Sequence, residues 1–348
     1  MHPTVEGKAE KPSRKRYSET SHESFTLYSL GTNGGPLESG CSAHLLSDGT
    51  FKEIVSIDGG GHLSALAELI EKKLLTVDID EQNFQFAGEG TPLNSIYAKA
   101  WLFSEQRIKT FLISHCHLDH IYACVINSAM FGPQNPRTIV GLEYVIDTLK
   151  KHIFNNQVWP ALDKAGFINF KIINEATYTN ITSTLSVLPF PVNHGSSFGH
   201  ELKSSAFLIR NMLSDRYFVA FGDVEPDRVA SDSLNIYIWR VCAELIAKKK
   251  LSHILIECST PDISDALLFG HFCPRHLVDE LCSLRSFVNE LGESMDNVTV
   301  LITHLKSHPL EVIDPEVVIV EQLEALSKAC SLPVKFKIVK RGQFYRFS

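Results

Sequence analysis

Three imidazoles and a carboxylate fall within six residues in the segment His115-Cys116-His117-Leu118-Asp119-His120. Imidazole nitrogen and carboxylate oxygen are donors for Zn²⁺ and similar divalent cations, at about 2.0–2.2 Å. The apolar run from Ile108 to Ser114 reads as a buried strand ending at His115. His115 and His117 lie two residues apart at that end, so both rings can point to one side. Asp119 and His120 fall on the first turn of a following helix, aimed at an adjacent point. The segment therefore suits two neighbouring cations with two donors each, while Cys116 and Leu118 are expected to point away and pack. The plain alternative is a polar turn capped by Asp119, and four donors at this spacing disfavour it.

Two cations need further donors, and the ends of apolar runs downstream supply them. His194 follows LSVLPFPVN, Asp223 follows RYFVAFG, and His304 follows NVTVLIT. Any one of these alone is ordinary turn or capping chemistry. Together, in a chain that already holds the six-residue segment, they read as ligands.

The elements that must position these residues are legible in outline. Strands are expected at Phe25 to Gly31, Ala43 to Leu46 and Glu53 to Asp58, separated by turn-rich GTNGGP and SDGT. His62 to Leu74 has helical apolar spacing, and Leu118, Ile121, Val125 and Ala129 mark one face of the helix after the histidine segment. Thr138 to Leu142 and Glu143 to Phe154 form a second strand–helix unit. Later strands are expected at Leu185 to Val192, Ala206 to Arg210, Tyr217 to Phe221, His253 to Glu257, Val298 to Ile302 and Val334 to Val339. Helices are expected at Arg228 to Lys249, Pro274 to Leu291 and Pro315 to Cys330. The mixture is α/β (α+β) and suits two packed mixed sheets with helices on both outer faces. Asp78 to Glu105, with Gly88, Gly90 and Pro92, is a long excursion expected to cover the site or to form the contact of a homodimer.

Composition narrows the function classes. The chain has 348 residues, 44% hydrophobic and 21% charged, with a formal net charge of -7. That balance argues against a nucleic-acid partner, which calls for a basic face. No apolar run reaches the length of about 20 residues that a membrane helix needs, so no membrane partner is expected. The eight cysteines form no CxxC pair and read as reduced thiols, which points to the cytoplasm. The basic cluster from Lys8 to Arg16 leaves a nuclear address as the alternative. Residues 1 to about 22 read as a disordered tail without an apolar leader segment.

The order HxHxDH, His194, Asp223, His304 is similar to that of the metallo-β-lactamase superfamily. HCHLDH continued as IYACVINSA, with GTNGGPLESGCSAHLL, IDGGGHLSAL, FGDVEPD, IECS and FGHFCPRHL, resembles more narrowly the class II cyclic-nucleotide phosphodiesterases. The likeness runs from about Phe25 to the C-terminus. It implies a four-layer αββα metallo-β-lactamase sandwich, with one catalytic domain over residues 23–348. It also implies that His115, His117 and His194 hold one metal, that Asp119, His120 and His304 hold the other, and that Asp223 bridges them. His-rich ligation suits Zn²⁺, and Mn²⁺ or Fe²⁺ fits similar sites.

The implied reaction is hydrolysis of a small-molecule 3′,5′-cyclic nucleotide, cAMP or also cGMP, to the 5′-monophosphate. Attack would come from a hydroxide between two cations about 3.5–4 Å apart, with Asp119 orienting it. His271 in GHFCPRH is the candidate proton donor to the leaving oxygen, and Glu257 in IECS the group that orients it. This pair looks like the Glu and His of the related tRNA-processing phosphodiesterases; the alternative is that both merely cap local elements. His276 reads as packing or support, His62 as either a helix-start residue or part of the site mouth, and His200 and His308 as surface or supporting residues. The glycines of GTNGGP and DGGG do not have the phosphate-loop form and read as turns that let the chain approach the metals closely. The rival readings are an RNA phosphodiesterase or a thioester, ester or lactam hydrolase of the same fold, and a non-catalytic scaffold. The acidic balance disfavours the RNA enzyme, the extended family segments the other hydrolases, and the complete donor set the scaffold.

Overall fold

Three antiparallel strands open the fold: β1 (Phe25–Gly31), β2 (Ala43–Ser47) and β3 (Ile54–Ile57). All three are buried along their whole length, which requires cover on both faces. The side-chain alternation of β1 shows where that cover lies. Phe25 and Leu27 join an apolar layer shared by two sheets, whereas Tyr28 and Leu30 join one shared with helices. This computed structural model describes residues 23–79, 95–175, 177–307 and 313–348.

After β3 come α1 (Leu63–Glu71), α2 (Ile96–Arg107), β4 (Ile108–Leu112), α3 (Leu118–Asn127), β5 (Arg137–Gly141), α4 (Glu143–Thr148) and β6 (Ile168–Ile172). Strands β3 to β6 run parallel. The second half holds β7 (Thr179–Asn180), β8 (Leu185–Ser197), β9 (His200–Asn211), β10 (Arg216–Phe221), α5 (Asn235–Ala247) and β11 (Leu251–Glu257). It ends with α6 (Pro274–Glu290), β12 (Val298–Thr303), α7 (Pro315–Ala329), β13 (Val334–Ile338) and β14 (Phe344–Phe347). The two seven-stranded sheets have the orders β14-β1-β2-β3-β4-β5-β6 and β13-β12-β11-β10-β9-β8-β7.

Three apolar layers separate the four structural ones, as the αββα expectation requires. Phe25, Leu46, Leu112, Phe207, Phe218 and Leu301 lie in the layer between the sheets. Leu66, Phe103 and Ile121 pack under the helices of the first sheet, and Trp239, Leu281 and Leu323 under those of the second. Helices α6 and α7 start where expected because Pro274 and Pro315 occupy the first turn, where a missing N–H is harmless.

The structure corrects several expected boundaries. Helix α5 starts at Asn235 rather than Arg228, because the Asp227 carboxylate accepts the amides of Asn235 and Ile236 at 2.9 and 3.0 Å. Strand β8 runs on past Val192 to Ser197, because β9 pairs with it down to Ser197↔His200. Strand β14 pairs antiparallel with β1, a closure that no local pattern announced. Of the excursion between Asp78 and Glu105, α2 is described and residues 80–94 lie outside the described residues, as do the expected tail and His308. Among the described residues, no helix is long and apolar enough to cross a membrane.

Candidate metal centre

The ends of parallel strands deliver three of the seven expected donors. His115 follows β4 after a short turn, Asp223 follows β10, and His304 follows β12. The β4 turn is fastened by Asp58, whose Oδ1 accepts the Ser114 amide at 2.8 Å and whose Oδ2 accepts the Ser114 hydroxyl at 3.0 Å. His117 is the N-cap residue of α3, with extended backbone, so Asp119 and His120 enter on the first turn. His194 lies inside β8, at a register shift between Asn193 and Ser196. That bulge, not a strand end, turns its ring inward. His304 has a left-handed backbone, φ 59°, a strain that persists only where the surroundings impose it.

The seven expected donors come together as two sets that share Asp223. His115, His117, His194 and Asp223 bring one atom each within 4.8 Å of one another, and so do Asp119, His120, Asp223 and His304. Asp223 divides its oxygens between them. Oδ2 lies 3.6 Å from Nε2 of both His115 and His194, while Oδ1 lies 3.1 Å from Nε2 of both His120 and His304. His194 Nε2 is 3.1 Å from His117 Nδ1, and Asp119 Oδ2 is 3.2 Å from His304 Nε2.

The outer ring nitrogens are already engaged, so the inner ones are left to bind. The Asp58 Oδ2 accepts His120 Nδ1–H at 2.7 Å, and the Gly270 carbonyl accepts His194 Nδ1–H at 2.9 Å. Ser114 Oγ lies 3.0 Å from His115 Nδ1, and Ser259 Oγ 3.0 Å from His304 Nδ1. The carboxylate and the carbonyl can only accept, so they set the tautomers of His120 and His194 that turn an Nε2 lone pair inward. Among the described residues, His115 Nε2 and Asp223 Oδ1 are buried without a well-aligned hydrogen-bond partner. Buried groups in that state are rare and expensive, and divalent cations would satisfy both. The donor set therefore fits two such ions.

Electrostatics inside the centre are strong. Burial drives His194 down to about 4 and His115 well below its ordinary value, so both rings are held neutral, as ligands must be. Burial would also lower His120, but the Asp223 and Asp58 carboxylates outweigh it and raise this ring well above the usual range. Burial alone would raise Asp223; the adjacent His120, His304 and His115 overcome this and hold it well below the carboxylate range. Asp119 is likewise held low against burial, by His304 and His120.

His271 and Glu257 stand at the edge of the same centre. His271 Nδ1 lies 3.0 Å from both Glu257 oxygens and 3.8 Å from Asp223 Oδ2. Glu257 also accepts the Val224 amide at 2.8 Å, so it braces the turn that carries Asp223. Burial pushes Glu257 up to about 7 and His271 down to about 4.

Two glycine-rich loops press on the donors. A Cβ at Gly34 would lie 2.4 Å from His304 Cε1, and one at Gly60 would lie 1.8 Å from the Asp119 carbonyl oxygen. No larger residue allows these approaches. Other expectations meet different outcomes. Cys116 packs against the first-sheet core, but Leu118 is 69% exposed, because it sits on the solvent side of the α3 turn that aims Asp119 and His120 inward. His62 occupies the N-cap position of α1 without a side-chain capping bond; its buried ring lies with Nε2 2.7 Å from Ser104 Oγ and is not among the grouped donors. His276 is fully buried in α6 and His200 is exposed. Asp58 and Ser259 were not singled out from the sequence; an aspartate ending a strand before three glycines was the available sign of the first.

A four-layer αββα sandwich with two adjoining His/Asp donor sets at its strand ends defines a metallo-β-lactamase-fold hydrolase. The family within that fold follows from relatives: the chain belongs to the class-II cAMP phosphodiesterases, whose family model matches residues 24–342. It is 70% identical over 324 residues to the 3′,5′-cyclic-nucleotide phosphodiesterase of Schizosaccharomyces pombe, covering 93% of each chain. The crystal structure of unliganded yeast PDE1 superposes with a TM-score of 0.83 at 30% identity, covering 94% of this chain and 100% of that one. The metallo-β-lactamase fold protein YhfI from Bacillus subtilis, at 14% identity and a TM-score of 0.57 over 93% of this chain and 100% of that one, shares the fold.

Proposed function

We propose that this chain hydrolyses 3′,5′-cyclic nucleotides, cAMP foremost, to the 5′-monophosphate, using two divalent cations of which zinc suits the donors best. The observation that carries the reading is Asp223, which offers one oxygen to each donor set. His115, His117 and His194 would hold one cation, and Asp119, His120 and His304 the other. When bound, such a pair supplies Lewis-acid activation of water and neutralises charge on phosphoryl oxygens.

The residues of the chain do the positioning. His115, His120, His194, Asp223 and His304 are nearly sealed, whereas His117 is exposed and the Asp119 side chain is 25% exposed. Substrate therefore approaches along the side lined by His117 and Asp119. The accessible Asp119 carboxylate can accept a hydrogen bond from the attacking water and aim its lone pair at phosphorus. Glu257 holds His271 by Nδ1, which leaves Nε2 on the far side of the ring to manage the proton at the departing O3′. The acidic balance of the chain supports a small-molecule substrate over nucleic acid. Eight free thiols support a reducing, cytoplasmic setting.

The test is a substrate panel of cAMP, cGMP and a thioester, with metal-loaded protein and with chelator, joined to elemental analysis of wild type and Asp223→Ala. Cyclic-nucleotide turnover that chelator abolishes is expected, along with loss of both cations and of activity in the variant. Metal-replete protein that leaves every cyclic nucleotide intact while cleaving the thioester would overturn the reading.

A further inference from the structure

Phe269 is 78% exposed, although its neighbours Leu268, His271 and Phe272 are 4%, 8% and 0% exposed. Its backbone is left-handed at φ 50°, and Gly270 follows at φ 80°. A bulky L residue rarely takes that conformation; it persists where the surroundings over-determine it. Here the surroundings are the metal centre. The Gly270 carbonyl accepts His194 Nδ1–H at 2.9 Å, and a Cβ on Gly270 would lie 2.2 Å from the His194 carbonyl oxygen. The turn closes on its other side, where the His271 amide donates to the Leu268 carbonyl at 3.1 Å. Phe269 is therefore exposed on a pinned turn that meets the His194 backbone at Gly270 and leads into His271. A phenylalanine left in water contributes nothing to the core, and strain at this point serves the site rather than the fold.

We propose that Phe269 is the residue on which the heterocyclic base of the substrate stacks, and that it sets affinity for the nucleotide while leaving the phosphate chemistry alone. The proposal deepens the cyclic-nucleotide reading and rests on it. An aromatic face accepts every base by stacking, so this contact favours purines by area and does not separate adenine from guanine. Specificity between those two must come from hydrogen bonds elsewhere.

The test compares full-length, metal-loaded wild type with Phe269→Ala, Phe269→Tyr and Phe269→Leu. Leu213→Ala serves as control, since its exposed side chain lies on the turn between β9 and β10, at the start of β10 and away from the end that carries Asp223. KM and kcat are measured for cAMP, cGMP, cyclic CMP and ribose 3′,5′-cyclic phosphate, which keeps the reacting group and has no base. Phe269→Ala is expected to raise KM for cAMP and cGMP about tenfold or more. The rise should be smaller for cyclic CMP, with kcat/KM for the baseless substrate unchanged. Phe269→Tyr should match wild type, and Phe269→Leu, which keeps bulk without a π face, should follow Phe269→Ala and replaces it if that variant does not fold. An unchanged KM for cAMP overturns the proposal, and so do equal losses with and without the base, which would make the ring a prop for the His194 turn. Wild type inactive on every cyclic nucleotide would instead overturn the proposed function, and this inference with it.

Discussion

Asp58 Oδ2 lies 2.7 Å from His120 Nδ1 across 62 residues of chain, and the same carboxylate holds the Ser114 amide at 2.8 Å. One buried side chain thus orients a candidate ligand and fastens the turn that carries another. Outer partners of this kind are worth about 10–100-fold in metal affinity. Asp58→Ala is expected to weaken binding by that factor and to lower stability by about 1–3 kcal/mol, because the Ser114 amide loses its buried acceptor. Metal titration followed by thermal melting of the metal-free protein checks both; wild-type affinity in the variant would remove Asp58 from the centre.

Gly34 makes a more selective prediction. Its missing Cβ leaves room for the His304 ring, which a methyl group would meet at 2.4 Å, whereas Gly35 faces open space. Gly34→Ala is expected to hold one cation fewer than wild type, and to lose turnover. Gly35→Ala, strained only by its φ of 78°, should keep both cations at a cost of about 1 kcal/mol. Elemental analysis of both variants decides the matter, and two cations with full turnover in Gly34→Ala would show that the loop yields.

His271→Ala separates proton handling from metal binding. The variant should retain both cations and lose about 10²–10⁴-fold in kcat. Glu257→Gln, which keeps the shape and loses the charge facing Nδ1, should fall between it and wild type. Full kcat in His271→Ala would leave the ring no part in the chemistry.

Acid stability reports on a histidine outside the centre. Burial, followed by the nearby Arg137 charge, lowers His62 to about 3, against about 6.5 in the unfolded chain. The unfolded state therefore binds the extra proton first as pH falls. The stability due to neutral His62 is whole above pH about 6.5 and declines toward pH about 3, by at most about 1.4 kcal/mol per pH unit. His62→Gln is expected to flatten the fall of melting temperature between those limits relative to wild type. An identical slope would mean that His62 does not titrate on unfolding.

Much of the scaffold was legible because its signals are local. A strand ending at HCHLDH and a helix starting one turn later need only backbone periodicity, and Pro274 and Pro315 mark their helices by chemistry within one turn. The donors His115, His117, Asp119 and His120 come together through that local geometry. The extension of β8 to Ser197 was not legible, because a strand lasts as long as its partner pairs with it, and β9 is set by the hairpin as a whole. The late start of α5 depends on a carboxylate eight residues ahead of the first helical amide it accepts. Leu118 was misplaced because an apolar residue between donors looks like packing, while the turn that aims the donors inward turns it to solvent.

By itself, the sequence determined which residue types would meet: histidines and aspartates ending buried strands, with glycines near them and an acidic chain around them. Residue type and short spacing are written in the chain, so donor chemistry and family could be read directly. Only the tertiary structure decided how Asp223 divides its two oxygens, which nitrogen each histidine turns inward, and that Asp58 stands behind His120. Those outcomes depend on contacts between elements distant in sequence. A side chain's direction at a strand end is set by whatever packs against it, and that is known only once the sheets have closed.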